Sequence, residues 1–393
     1  MIDYPALLAE AKALKPWLVQ NRRALHKIPE PGDQEIKTQS YVKSVLDELG
    51  IPYVVRRTSI VALIQGGRPG PVVALRADMD ALPVTEPEDR PYRSGHEGYM
   101  HACGHDAHMT VALGAARVLN ARRATMAGSI KLLFQPAEET TGGAVPMIAD
   151  GCLENPHVDY VIGLHVMPDV LVGKVELKHG AINAASDFLG ITVKGKGCHA
   201  AYPHTGIDSI VAAAQVISAL QTVVSRTVSP LEEAVVTLGT IAGGTQNNIV
   251  AGEVRLTGTL RTTNPQVREV ARARIRAIVE GVCQSLGAEG ELEIVPGYSA
   301  LVNHDSVVDL IAQEAEAILG KAGIVWKEKP SMGAEDFAFF LQERPGAFYN
   351  LGCGNPEKGI GAALHARNFD IDEDCLPIGV AVQAASALRL LAL

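Results

Sequence analysis

The chain has 393 residues, of which 47% are hydrophobic and 20% charged, with a net charge of −9 and 5% aromatics. That length calls for two domains, one of them split in sequence, and the apolar content suffices for a large core. With no basic stripe and few rings to stack on bases, nucleic acid is excluded as an expected partner, and an acidic surface does not by itself attract an anionic membrane or substrate.

The stretch from Tyr4 to Val19 has a helical pattern carrying Glu10, Lys12 and Lys15, unlike a secretory leader. The apolar run from Ile210 to Val224 is interrupted by Gln215, Ser218 and Gln221, so no segment is expected to reach membrane-spanning length. The expected location is the cytoplasm. The six cysteines form no CxxC pair and read as thiols or ligands rather than disulfides.

In chain order, a helix is predicted from about Glu35 to Leu49, stopped by Gly50-Ile51-Pro52. Strands follow at Ile60–Gln65 and Val72–Arg76, a helix from His105 to Leu119, and strands at Ile130–Gln135 and Tyr160–Val166. Buried strands alternating with helices predict an α/β domain, a mixed sheet covered by helices. The middle differs: strand Phe188–Gly195, helix Ile207–Val224, strands Ala234–Ala242 and Glu253–Arg261, a helix from Pro265 to Leu286, and strand Glu289–Val295. This order predicts a ferredoxin-like α+β module inserted at 184–297 into a larger domain made of 1–183 and 298–393. An apolar helix from Pro377 closes the chain.

Four segments concentrate metal-capable groups. Met100-His-Ala-Cys-Gly-His-Asp-Ala-His108 offers Cys103 and His105 where a loop enters a helix, and a thiolate with an imidazole suits zinc-like ions. Phe134-Gln-Pro-Ala-Glu-Glu139 follows a strand, Gly163-Leu-His165 closes another, and Ala363-Leu-His365 comes late in the chain. Sites gather at the carboxyl ends of strands in open α/β sheets. Adjacent glutamates diverge on extended backbone, so Glu139 can bind a metal while Glu138 takes a proton from a metal-acidified water. Cys103, His105, Glu139, His165 and His365 are enough for two divalent ions when one ligand is shared. Asp78 and Asp80, two apart after a strand, share a face, and Asp80 is placed behind a ligating imidazole to orient it. His108 lies one turn from His105 and is read as a non-ligand. His26, His157, His179 and His304 are read as surface or capping residues.

Arg76-Ala-Asp-Met-Asp-Ala-Leu-Pro83, His101-Ala-Cys-Gly-His-Asp106, Gln135-Pro-Ala-Glu-Glu139 and Gly163-Leu-His165 together resemble the hippurate hydrolase and N-acyl-amino-acid amidohydrolase branch of the dinuclear aminoacylase/carboxypeptidase family, to which plant auxin-conjugate hydrolases also belong. The resemblance covers nearly the whole chain. It implies the same five metal ligands for a pair of divalent ions (Zn, Mn, Co or Ni), Glu138 as general base, and an inserted lid that forms a homodimer. It also implies that His199, in Gly195-Lys-Gly-Cys-His-Ala-Ala-Tyr-Pro203, stabilises the oxyanion in the partner subunit's site, and that Asn248 and Arg261 bind substrate. The run Gly243-Gly-Thr-Gln-Asn-Asn-Ile-Val-Ala251 departs from the family pattern, with Ala251 in place of proline and Asn247 beside Asn248.

The expected activity is metal-dependent hydrolysis of N-acyl amino acids. The rivals are a dipeptidase or carboxypeptidase on the same scaffold, a non-catalytic metal-binding protein, and a thiol redox enzyme. Glu138 argues against the second, and the lack of a resolving cysteine near Cys103 against the third.

Overall fold

A computed structural model describes residues 2–393. By packing, the chain forms two units, Met1–Gly180 with Val302–Glu328 and Phe339–Leu393, and Ala181–Leu301 with Lys329–Ala338.

The first unit is built on an eight-stranded mixed sheet. Its order is Tyr53–Arg56, Ser59–Gln65, Ala127–Gln135, Arg68–Asp78, Tyr160–Leu171, Gly346–Gly354, Val175–Leu177 and Ile324–Trp326. The four central strands, from Ala127–Gln135 to Gly346–Gly354, run parallel to one another. Antiparallel neighbours flank them on both sides. Every residue of Gly346–Gly354 is buried. Such continuous burial is expected where helices cover both faces of a parallel sheet.

Two helices dominate the covering layer, His105–Asn120 and Cys375–Leu390, and both are almost wholly buried. They approach closely because glycines stand at the crossing. A Cβ on Gly114 would lie 2.5 Å from Val380 Cγ2 and 2.7 Å from Leu18 Cδ2, and one on Gly379 would lie 2.7 Å from Leu351 Cδ2 and 3.0 Å from Val111 Cγ2.

The second unit is a four-stranded antiparallel sheet in the order Ala234–Gly243, Glu253–Thr262, Ala185–Lys194, Glu289–Pro296. Helices Ser209–Thr222 and Pro265–Ser285 cover one face, closing a core that includes Leu189, Ile191, Val216, Leu256, Ile275 and Val279. This is the expected ferredoxin-like α+β arrangement.

Three expectations are corrected. The Tyr160 strand does not stop at Val166 but runs to Leu171, because the parallel Gly346–Gly354 strand keeps pairing with it beyond His165. The segment Lys329–Ala338 packs with the inserted module, where Ala184 N–H donates to the Ser331 and Gly333 carbonyls and Ser331 N–H donates to Ile182 O. Finally, the helical stretch Ser209–Thr227 is long and apolar enough to cross a membrane by length and composition, despite Gln215, Ser218 and Gln221. Here Ala212, Ala213, Val216 and Leu220 face the module's own core.

Candidate metal centre

The helix at His105 begins abruptly. Gly104, at its N-cap, has φ 84, and a Cβ there would lie 2.3 Å from Val166 Cγ2. Only glycine meets both conditions. This sharp entry sets Cys103 on the loop side and His105 at the first helical position.

Behind the helix start, Asp106 accepts from Ala107 N–H, and also pairs with Arg22 at 2.8 Å and His26 Nδ1 at 2.7 Å. Asp106 is held far below the usual carboxylate range: burial opposes ionisation, and Arg22 and His26 outweigh it. His26 is fully buried and bridges Asp106 to Glu86, which corrects its reading as a surface or capping residue. The other two surface readings agree with the exposed positions of His157, beside Glu154, and His179, beside Asp309. His304 stands at the N-cap position of the helix Asp305–Leu319, but its side chain makes no capping hydrogen bond there and its Nδ1 instead accepts Gly346 N–H.

Around this entry the predicted donors converge. Cys103 Sγ lies 3.3 Å from His165 Nε2, and His365 Nε2 lies 3.2 Å from Glu139 Oε1. His105 Nε2 is 3.8 Å from the same Glu139 oxygen. Donor atoms within 4.8 Å of one another form two triads that share the thiol, one of Cys103 with His105 and His165, the other of Cys103 with Glu139 and His365. A third group joins Glu138 to Glu139 and His105.

Several observations fit a cation here. Among the described residues, buried His105 has no hydrogen-bond partner at Nε2, while its Nδ1 faces Asp80 Oδ1 at 3.3 Å. His165 Nδ1 is 2.7 Å from the Val166 carbonyl and donates to it, so the lone pair of Nε2 faces Cys103. The local field also asks for positive charge. Burial opposes the His105 imidazolium, yet Asp78, Asp80 and Glu139 outweigh it and raise the group to about 10. Burial pushes the Cys103 thiol well above its usual range, and Glu139 and Glu138 push it further. Burial also raises Glu139, but the hydrogen bond with His365 and the charge of His105 bring its carboxyl below the usual value. A divalent ion supplies that charge and keeps the thiolate and imidazoles deprotonated.

Asp80 stands behind this set. Its Oδ1 is 3.3 Å from His105 Nδ1, and its two oxygens accept the backbone N–H groups of Glu138 and Glu139. Sequence reasoning missed the pair beside it. His108 Nδ1 is 2.6 Å from Asp78 Oδ1 and its Nε2 accepts Val166 N–H at 2.9 Å, so both ring nitrogens are engaged. Asp78 also takes Arg76 and lies well below the usual carboxylate range, where burial is outweighed by Arg76 and the two histidines. No spacing rule links Asp78 to His108. Only the helix following the strand brings them together.

The remaining predicted residues lie in the second unit. His199 is exposed on a two-residue strand paired with Ile249–Val250. Asn248 is exposed just before that strand, and its carbonyl accepts Ala200 N–H. Arg261 is half-buried on Glu253–Thr262, opposite Val235 and Ser186.

A buried thiol, three imidazoles and paired carboxylates, grouped at one end of a parallel sheet core, are the parts of a metallohydrolase centre. The chain belongs to peptidase family M20/M25/M40, whose sequence profile matches residues 74–389. It is 40% identical to an N-acetyl-L-cysteine deacetylase of Bacillus subtilis over 96% of this chain and 89% of that one. It is 38% identical to thermostable carboxypeptidase 2 of Saccharolobus solfataricus, over 97% of both. A dinuclear metal-binding peptidase of the M20 family from Bacillus subtilis superimposes with a TM-score of 0.86 at 33% identity, over 97% of this chain and 99% of that one. The fold class is therefore that of a hydrolase of amide or peptide bonds.

Proposed function

We propose that this protein hydrolyses the amide bond of N-acyl amino acids, hippurate-like or N-acetylated, to a carboxylic acid and a free amino acid, using two divalent ions. It would stand in the hippurate hydrolase and N-acyl-amino-acid amidohydrolase branch. The observation that carries the reading is the adjacent pair Glu138–Glu139, held by one carboxylate, Asp80, beside two donor triads that share Cys103. Likeness to the deacetylase favours an acyl group over a second amino acid.

Cys103, His105, Glu139, His165 and His365 hold the ions, which when bound acidify a water and polarise the scissile carbonyl. Glu138 takes the proton of the attacking water and returns it to the leaving amine. Asp80 orients His105. His199 Nδ1 accepts Ala201 N–H, which leaves its proton on Nε2, the form that donates a hydrogen bond to an oxyanion. Arg261 donates only to the Leu260 carbonyl among the described residues, so its fork remains available for the substrate carboxylate, with Asn248 beside it in role.

His199 serves the partner subunit's site in a homodimer formed through the inserted module. That proposal is supported by the edge strand Ala234–Gly243, with Val235 and Ile241 exposed, and by exposed Ile210 and Val211 on the covering helix. Six unpaired cysteines, five of them buried, suit a reducing compartment and a cytoplasmic enzyme.

Likeness to the carboxypeptidase supports a second reading, a peptidase on the same scaffold. The test is hydrolysis of hippurate, a panel of N-acetyl amino acids and unblocked dipeptides by chelator-stripped enzyme, before and after adding Mn²⁺, Zn²⁺ or Co²⁺. Metal-dependent release of the acyl group is expected. Preference for dipeptides would move the assignment to the peptidase, and silence with every ion would refute both. Glu138→Gln is expected to lose about 10²–10⁴-fold in kcat while retaining its metal.

A further inference from the structure

Two neighbouring glutamates can divide labour only when the backbone under them is fixed, because a rotation of one peptide swings both side chains. Ala137, the residue before Glu138, has φ 58, a left-handed conformation that L residues avoid. Something outside the turn must therefore hold it there.

The restraint comes from the segment Gly32–Glu35, a hundred residues earlier in the chain. Glu35 is fully buried, and its Oε1 accepts Ala137 N–H at 2.9 Å and Asp33 N–H at 3.1 Å. Asp33 Oδ2 accepts from Thr141 Oγ1 at 2.9 Å. Gly32 packs so tightly that a Cβ there would lie 2.1 Å from Thr140 Oγ1 and 2.9 Å from Ala137 Cα. With Asp80 taking the next two amides, three successive N–H groups, those of 137, 138 and 139, end on two carboxylates from different parts of the chain.

We infer that Glu35 is a positioning residue for the hydrolytic reaction: it locks the left-handed Ala137 and so sets which neighbouring glutamate faces the metal donors and which remains for proton transfer. The inference rests on the proposed roles of Glu138 and Glu139. Glu35 touches neither reacting atoms nor donor atoms, and acts through the turn alone.

The test uses full-length, metal-loaded enzyme and three variants. Glu35→Gln keeps an oxygen that can accept the same two N–H groups. Glu35→Met keeps the volume without that oxygen, and Glu35→Ala removes both. Turnover of the best N-acetyl amino acid, metal content and the visible spectrum of the Co²⁺-loaded protein are measured. Glu35→Met and Glu35→Ala are expected to lose about 10–100-fold in kcat, as loss of an outer support does. KM should stay within about twofold, with two ions bound and a shifted cobalt spectrum, since uniform binding is untouched. Glu35→Gln should stay within about threefold of wild type.

Wild-type kcat in Glu35→Met, equal losses in Gln and Met variants, or a loss that merely tracks missing metal or unfolded protein would each overturn the inference. So would failure of both Met and Ala variants to fold while Glu35→Gln is normal, because the role would then be structural. Glu138→Gln is run beside them. If it keeps full turnover, the base assignment itself fails. If it is inactive while Glu35→Met is normal, only the positioning role fails.

Discussion

Asp80 receives the backbone N–H groups of Glu138 and Glu139 on its two oxygens, at 3.1 and 2.9 Å, while lying 3.3 Å from His105 Nδ1. One carboxylate thus ties the turn that carries both glutamates to the imidazole proposed as a metal ligand. In Asp80→Asn one oxygen becomes an NH₂ group, which cannot accept the second N–H. We expect kcat to fall about 10–100-fold, with weakened metal retention, measured by steady-state turnover and elemental analysis.

His108 is engaged at both nitrogens and has no lone pair left for an ion. His108→Ala should therefore still bind two ions per chain in the folded protein. It leaves Val166 N–H and the Asp78 carboxylate buried without that partner, so we expect a stability loss of about 1–3 kcal/mol. Loss of one ion with unchanged stability would make His108 a ligand after all. Metal titration with parallel denaturant unfolding separates the two outcomes.

Metal binding should tighten as pH rises. In the metal-free protein the His105 imidazolium is raised from 6.5 to about 10 by Asp78, Asp80 and Glu139 against burial, so an entering ion must displace its proton. The same shift predicts stability. A raised base contributes fully below pH 6.5 and loses that contribution as pH climbs toward about 10. Metal-free protein should show a falling Tm across this window, and metal-loaded protein a much flatter profile. Glu35, raised to about 7 by burial, adds a loss of stability from about pH 4.5 to 7, because its buried acid must ionise. Glu35→Gln should remove that earlier part alone. Thermal scans from pH 4 to 10 check both.

The helix crossing at Gly114 gives a prediction remote from the chemistry. A valine there must displace Val380 and Leu18, both buried. Overpacking of this kind costs about 1–3 kcal/mol. Gly114→Val should lower the denaturant midpoint while leaving KM unchanged.

The order of elements and the candidate donors that the fold brings together were legible in the sequence. Apolar runs of strand length, separated by helical periodicity, announce the covered sheet, and the strand–helix–strand–strand–helix–strand order announces the inserted module. Cys103, His105, Glu139, His165 and His365 stand out as candidates by residue type near strand and helix ends, because a metal site needs such atoms. What supports them was not legible. Glu35 with Ala137, Asp78 with His108 and His26 with Asp106 join residues 102, 30 and 80 positions apart. A carboxylate or histidine that will be buried looks, in a linear chain, like one that will be solvated. Its partner is chosen by long-range packing, and no local periodicity encodes that choice. The same holds for Lys329–Ala338, whose attachment to the inserted module depends on pairing with backbone about 150 residues earlier. Local pattern and residue chemistry therefore determined the architecture and the candidate donor set, while the burial and backbone geometry that aim those side chains arose only when distant segments closed on one another.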